Sequence, residues 1–102
     1  MDTRDADVTL ESRLARVRGR VQGIGYREAC VRHARALGIT GWVRNRTDGS
    51  VEVMLQGSAR QLAEMCSWLR DGVPAAVVGA LQVTEIQPPP ARLDHFERLP
   101  TS

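Results

Sequence analysis

A short loop with three glycines and a terminal arginine is the part of this sequence best suited to chemistry. It runs from Gly19 to Arg27 in the order Gly-Arg-Val-Gln-Gly-Ile-Gly-Tyr-Arg. Glycine lets a ligand approach the backbone and allows positive φ angles, and consecutive N–H groups in such a turn can surround an anion. The planar guanidinium of Arg27 matches the geometry of a phosphate. The loop therefore predicts a pocket for a phosphate-like group.

The segments on either side of this loop predict a strand before it and a helix after it. Apolar residues stand between arginines over residues 12–18, which is typical of a strand. From Tyr26 to Leu37 the apolar residues recur with helical spacing, and Gly38 follows where a helix commonly ends. The start of this helix adds unpaired N–H groups and a positive dipole end to the loop.

The rest of the chain predicts further strands and a second helix. Strands are expected over residues 39–46, 51–56 and 77–86, and a short edge strand over residues 95–99. Asp48-Gly49 is a strong signal for the turn of a hairpin. The spacing of Ser58 and Gln61 predicts a capping box at the start of the second helix. The proline run at 88–90 separates the last two strands.

This order of elements favours an α+β fold, the ferredoxin-like split βαβ sandwich with the order βαββαβ. Two helices are then expected on one face of an antiparallel sheet. A chain of 102 residues can form one two-layer core. We expect that domain over residues 12–99, between a flexible N-terminal tail of residues 1–11 and a C-terminal tail of residues 100–102. In this fold Asn45 lies near the end of the second strand, beside the hairpin.

Composition and charge argue against several classes of protein. The formal net charge is +2, from 14 basic and 12 acidic residues, and this weak excess does not suggest nucleic-acid binding. An RNA-binding domain of this fold would need exposed aromatic residues on its central strands, and the chain has only two Trp, one Tyr and one Phe. No apolar run approaches the ~20 residues of a membrane helix, and the polar start has no secretory signal. We expect a cytoplasmic monomer without nucleic-acid or membrane partners.

The cysteines and histidines do not indicate a metal or cofactor site. Cys30 and Cys66 lie in helix-like segments among apolar neighbours, so both are predicted to be buried free thiols. Neither has the CxxC or Cys/His spacing of metal ligands. His33 is six positions beyond Arg27, which turns it to another side of the helix, and His95 has no evident partner. No metal and no cofactor are therefore expected.

Two motifs together resemble the acylphosphatase family. The first is glycine, any residue, Val-Gln-Gly-Val, two residues and arginine, which residues 19–27 match with one isoleucine for valine. The second is glycine, any residue, valine, any residue and asparagine with a glycine shortly after, which residues 41–49 match with Asn45 as the asparagine. The resemblance covers about residues 12–98. Arg98 departs from the pattern, because an apolar residue is more usual at this position.

The resemblance implies metal-independent hydrolysis of the carboxyl–phosphate bond of acyl phosphates. It implies that Arg27 binds the phosphate and that Asn45 holds the attacking water. The other expected residues of the phosphate-binding loop are Arg20, Val21, Gln22, Gly23, Ile24, Gly25 and Tyr26. A carboxylate leaves without a general acid, since its conjugate acid has a pKa of about 4–5. Neither a guanidinium nor an amide can act as a base, so a phosphoryl oxygen of the substrate is expected to take the proton of the water.

The sequence leaves a second function and the substrate open. Related domains in hydrogenase-maturation carbamoyltransferases bind phosphate or carbamoyl phosphate without turning it over. The combination of Arg27 and Asn45 favours the enzyme over such a binding domain. Carbamoyl phosphate, acetyl phosphate and 1,3-bisphosphoglycerate share the same phosphoryl group, so the loop does not distinguish among them.

Overall fold

The computed structural model describes residues 9–88 and 90–102. Its elements are β1 (Glu11–Arg20), α1 (Tyr26–Leu37), β2 (Thr40–Asn45), β3 (Val51–Gly57), α2 (Ala59–Asp71), β4 (Val77–Glu85) and β5 (Phe96–Arg98). The helix α1 has the predicted bounds, and each strand ends within two residues of its prediction. The predicted N-terminal tail lies outside the described residues over 1–8, and its last residue, Glu11, is the first residue of β1.

The strands form one sheet in the order β4-β1-β3-β2-β5. β1 pairs antiparallel with β3 and β4, and β2 pairs antiparallel with β3. β5 runs parallel to β2, with Phe96 opposite Gly41 and Arg98 opposite Val43. The chain crosses from β4 at one edge to β5 at the other, and this crossing makes the last pair parallel. The ferredoxin-like fold is confirmed, and the short fifth strand makes the otherwise antiparallel sheet mixed.

Both helices pack on the same face of the sheet, because alternate residues of the central strands point toward them. The fully buried apolar side chains of this layer are Ala15, Val17, Val43, Val51, Val53, Leu55, Cys30, Ala34, Leu62, Met65 and Leu69. Complete burial of one Val, Leu or Met side chain contributes about 1.5–3 kcal/mol, so this layer is a major source of the folding free energy.

None of the helices in the described part of the chain is long and apolar enough to cross a membrane.

The buried side of α2 differs from the sequence prediction at three positions. Met65, expected at the flank of the apolar stripe, is fully buried, whereas Ala59 is exposed. Cys66 is half-buried rather than buried, while Cys30 is buried as expected, and both are free thiols. The reason is that Leu62, Met65 and Leu69 form the stripe that meets the sheet, which rotates Ala59 and Cys66 away from it.

Contacts from α1 and β2 hold the short strand β5 in place. Arg35 of α1 donates hydrogen bonds to the carbonyl oxygen of Phe96 from Nε at 3.2 Å and from Nη2 at 3.0 Å. The N–H of Leu99 donates to the carbonyl oxygen of Val43 at 2.9 Å. A three-residue strand is therefore fixed from two sides.

The residues after β5 continue along the end of β2. Ser102, placed in the predicted C-terminal tail, donates its N–H to the carbonyl oxygen of Asn45 at 3.1 Å and accepts from the N–H of Thr47 at 3.2 Å. The backbone around Asn45 is consequently bonded on this side by Ser102 and on the other side by β3.

A buried hydroxyl joins the start of α1 to the end of α2. Tyr26 is only 1% exposed, and its hydroxyl donates a hydrogen bond of 2.6 Å to the carbonyl oxygen of Leu69. This carbonyl lies in the last turn of α2, where carbonyls have no partner within the helix. Burial raises the pKa of Tyr26, so the hydroxyl keeps the proton that it donates.

The variant Tyr26→Phe removes this hydroxyl and leaves the carbonyl oxygen of Leu69 without its partner. We expect the free energy of unfolding to fall by about 1–3 kcal/mol, the cost of an unsatisfied buried polar group. Urea denaturation measures this change. Ser67→Ala, at an exposed position of the same helix, is the control and is expected to stay within about 0.5 kcal/mol of the parent. Equal stability of the two variants would contradict the role of the hydroxyl.

Candidate active site

A pocket of about 190 Å³ lies where the glycine loop meets the end of β2. Its lining residues are Val21, Gly23, Gly25, Tyr26, Arg27, Glu28, Asn45 and Arg98. The central strand β3 brings the two sides of the pocket together, because Val51 lies opposite Val17 of β1 and opposite Asn45 of β2. The loop that leaves β1 and the last residue of β2 therefore meet at the same end of the sheet.

The glycine loop has a backbone that other residues rarely adopt. Gly23 has φ +78° and Gly25 has φ +80°, both in the left-handed region. Gly25 is also the N-cap of α1 and provides no side-chain hydrogen bond to the helix. The first-turn N–H groups of α1 thus lack a side-chain cap at the wall of the pocket, which is the arrangement that binds anions.

Two functional groups in the pocket have no protein partner among residues 9–88 and 90–102. The half-buried Arg27 takes part in none of the ion pairs described there. Asn45 is 9% exposed, and its Oδ1 is buried without a hydrogen bond. Leaving a buried acceptor unpaired costs about 1–3 kcal/mol in general, so such a group calls for an explanation. A ligand in the pocket would provide its missing partner.

Gln22 joins the loop to the hairpin instead of lining the pocket. Its Nε2 donates to the carbonyl oxygen of Arg46 at 2.9 Å and to that of Ser50 at 2.8 Å. These carbonyls flank the turn between β2 and β3, which begins directly after Asn45. Gln22 therefore fixes the position of the loop relative to Asn45.

The turn itself is closed by the aspartate that the sequence indicated. Oδ1 of Asp48 accepts hydrogen bonds from the hydroxyl of Ser50 at 2.6 Å and from its N–H at 2.9 Å. These bonds, together with nearby arginines, lower the pKa of Asp48 to about 2.

On the face of the sheet without helices, the carboxylate of Glu52 accepts hydrogen bonds from Arg44 at 2.9 Å and from Arg16 at 3.0 Å. Burial alone would raise the pKa of Glu52, but these bonds lower it, so the carboxylate stays charged and holds the hairpin strands together.

The predicted loop residues are thus divided among different surroundings. Val21, Gly23, Gly25 and Tyr26 line the pocket with Arg27, whereas Gln22 faces the hairpin. Arg20 is exposed at the end of β1. Ile24 lines a separate, larger groove of about 470 Å³ along α1 and the segment after α2. In that groove the ring of His33 stacks on Trp68, with ring centres 4.5 Å apart.

Glu28 and Arg98 line the pocket although neither was predicted as a site residue. Nη1 of Arg98 lies 2.8 Å from Oε1 of Glu28. The sequence feature that could have indicated Arg98 is the presence of an arginine where the family pattern has an apolar residue. No group of three or more His, Cys, Asp or Glu side chains within residues 9–88 and 90–102 is arranged to hold a metal ion.

Comparison with known proteins identifies the family. A family model described as acylphosphatase matches residues 14–98. The chain is 64% identical over 96 residues to the acylphosphatase of Polaromonas naphthalenivorans (strain CJ2), covering 94% of this chain and 95% of that one. The chain belongs to the acylphosphatase family. The family resemblance carried by the two motifs, and with it the prediction of a hydrolase, is confirmed.

Solved structures of similar proteins have the same fold. The crystal structure of acylphosphatase from Bacillus subtilis superposes with a TM-score of 0.81 at 32% identity, covering 89% of this chain and 99% of that chain. Full-length HypF, in its phosphate- and nucleotide-bound form, superposes with a TM-score of 0.84 at 19% identity, covering 92% of this chain and 12% of that chain. The second likeness is one of fold only.

The variant Gln22→Glu keeps the size of the side chain and removes its two N–H donors. At neutral pH its carboxylate would face two carbonyl oxygens, so we expect the free energy of unfolding to fall by about 2–4 kcal/mol. The loss should shrink as the pH falls through the carboxyl range, because the protonated acid can again donate. Urea denaturation at pH 7 and at pH 4 measures both effects.

Gln82→Glu makes the same charge change at an exposed position of β4 and serves as the control. We expect it to change the unfolding free energy by no more than about 0.5 kcal/mol. If the two variants are equally stable at pH 7, Gln22 does not hold the loop and the hairpin together.

Proposed function

We propose that this pocket hydrolyses the carboxyl–phosphate bond of acyl phosphates to a carboxylate and inorganic phosphate, without a metal ion. The observation that carries the proposal is that one pocket contains the guanidinium of Arg27 and the buried Oδ1 of Asn45, neither of which has a partner within residues 9–88 and 90–102. A phosphoryl group requires cationic donors, and an attacking water requires an acceptor that orients it. Membership of the acylphosphatase family supports the same reaction.

The loop and Arg27 are suited to bind the phosphoryl group. Its oxygens would accept hydrogen bonds from the N–H groups at the start of α1, where the helix dipole also favours negative charge. The guanidinium offers two parallel N–H groups to two of these oxygens. As the substrate approaches the transition state, these fixed positive groups stabilise the charge on the phosphoryl oxygens.

Asn45 is suited to hold the attacking water. Its Oδ1 can accept a hydrogen bond from the water, while the amide nitrogen can donate to a phosphoryl oxygen. Its backbone is bonded to Ser102 on one side and paired with Val51 on the other. A water held at a fixed position loses little further entropy when it attacks, and this lowers the barrier.

The bond changes balance without an acid or base from the protein. The oxygen of the water bonds to phosphorus, and the bond between phosphorus and the carboxyl oxygen breaks with its electron pair going to the carboxylate. The proton of the water passes to a phosphoryl oxygen of the same substrate. Neither the guanidinium of Arg27 nor the amide of Asn45 can accept it.

The direct test is hydrolysis of benzoyl phosphate by the purified protein, with and without EDTA. We expect turnover that EDTA does not change, and competitive inhibition by inorganic phosphate, since the loop binds the phosphoryl group. Loss of activity in EDTA with recovery in Mg²⁺ would contradict the metal-free mechanism. Phosphate binding measured by calorimetry without any turnover would favour a binding domain instead.

Substitutions at Arg27 and Asn45 separate their two roles. Asn45→Ala is expected to lower kcat by about 10²–10³ with little change in KM, because it removes the group that positions the water. Arg27→Ala is expected to impair both parameters. Arg27→Lys keeps the charge but not the planar fork, so its kcat/KM should fall to within about tenfold of the alanine variant. Steady-state kinetics with benzoyl phosphate gives all of these values.

Arg32→Lys is the matched control, because Arg32 is an exposed residue of α1 outside this pocket. Circular dichroism and thermal denaturation show whether each variant keeps the fold. Near-parent kcat/KM for Arg27→Lys would mean that charge alone binds the phosphoryl group. Unfolding of Asn45→Ala would mean that the asparagine is structural.

A further inference from the structure

Arg98 brings a second guanidinium to the pocket from the edge strand β5. It is the last residue of β5 and pairs with Val43, which precedes Asn45 by two residues on the helix-facing side of β2. The hydrogen bonds from Arg35 to the carbonyl oxygen of Phe96 fix the backbone of this strand. The guanidinium of Arg98 therefore extends from a fixed position at the mouth of the pocket.

The side chain occupies a position where the strand pattern calls for an apolar residue. Phe96, two residues earlier on the same side of β5, is buried in the core. Arg98 instead extends past the edge of the core, and Nη1 lies 2.8 Å from the carboxylate of Glu28. Core packing does not account for an arginine here, so the guanidinium must serve charged partners, which are Glu28 and any anionic ligand in the pocket.

The ion pair between Arg98 and Glu28 can rearrange at little cost. The two side chains are 50% and 55% exposed, and pairs this exposed contribute little to stability. Among residues 9–88 and 90–102, Glu28 is the one partner described for this guanidinium, and it engages a single nitrogen. The remaining N–H groups can bind a second anion in a bidentate manner.

We propose that Arg98 is a specificity-determining residue that binds a second anionic group on the acyl part of the substrate. The inference rests on the proposed function, in which the loop and Arg27 bind the phosphoryl group. The acyl group must then leave that end of the pocket through the mouth, where Arg98 stands. The preferred substrates are acyl phosphates that carry a further carboxylate or phosphate away from the reacting bond. Glu28 neutralises Arg98 until such a group arrives and repels anions that Arg98 does not bind.

The test compares benzoyl phosphate with 3- and 4-carboxybenzoyl phosphate, whose carboxylates cannot reach the reacting carbonyl. Arg98→Leu is expected to lower kcat/KM about tenfold for at least one carboxylated substrate, in line with the loss of a charge-assisted hydrogen bond. Its kcat/KM for benzoyl phosphate should fall less than its kcat/KM for that carboxylated substrate, so the ratio of the two values is the readout. Glu28→Gln is expected to raise the preference for the carboxylated substrate several-fold, and this gain should vanish when Arg98→Leu is added.

Arg60→Leu is the control for the change in net charge. Arg60 is exposed in the first turn of α2, which follows the end of β3 remote from the pocket, so the substrate preference should not change. An equal loss on all three substrates in Arg98→Leu would mean that Arg98 acts on the phosphoryl group and would overturn the inference, as would an unchanged preference. Absence of benzoyl phosphate hydrolysis by the parent protein would overturn the proposed function, and this inference with it.

Discussion

The amide of Gln22 donates two hydrogen bonds across the gap between the glycine loop and the β2–β3 hairpin, and the arrangement of the pocket depends on them. Each such bond contributes only about 1 kcal/mol to stability. Its greater effect is geometric, because a displacement near 1 Å at a reacting centre can cost about 10²-fold in rate. The loop carries the N–H groups proposed to bind the phosphoryl group, and the hairpin carries Asn45. One uncharged side chain thus sets the distance between the two halves of the site.

The polar side chains near this bridge differ in whether their hydrogen-bonding groups have partners. The hydroxyl of Tyr26, the carboxylate of Glu52 and the carboxylate of Asp48 all have hydrogen-bond partners. Among the buried side-chain nitrogen and oxygen atoms of the described residues, Oδ1 of Asn45 is the exception without a hydrogen-bond partner. An unpaired acceptor is unfavourable in the free protein, and a bound water or ligand removes that cost. The unpaired Oδ1 of Asn45 therefore lowers the stability of the free protein, and a ligand bound beside it would restore that stability.

The parts of the fold that local sequence determines were predicted well. Gly25 and Gly38 flank α1 and mark both of its ends, and Asp48-Gly49 marks the hairpin. The placement of β5 could not be predicted, since three residues carry no information about register or direction, and in the structure this strand pairs parallel to β2.

For the site as well, residues within local motifs could be predicted, whereas contacts between distant parts of the chain could not. A motif read along the chain locates Arg27 and Asn45, which share a pocket in the structure. It does not reveal that Gln22 faces the carbonyls of a distant turn, or that Arg98 reaches a carboxylate on α1. These partners are far away in sequence and depend on how the sheet assembles. Every residue has a backbone carbonyl, so the sequence contains no particular residue type that would identify the partners of Gln22.

The position of β3 between β1 and β2 also bears on how the molecule folds. The β2–β3 hairpin is local and can form early, but pairing β3 with β1 requires closing a much longer loop of chain, at a larger entropic cost. A partly folded chain with only the hairpin would contain Asn45 without the glycine loop beside it. Recovery of the signal from local secondary structure during refolding would then precede recovery of the assembled pocket. Enzymatic turnover in such an experiment reports completion of the native topology, which far-ultraviolet spectroscopy does not detect.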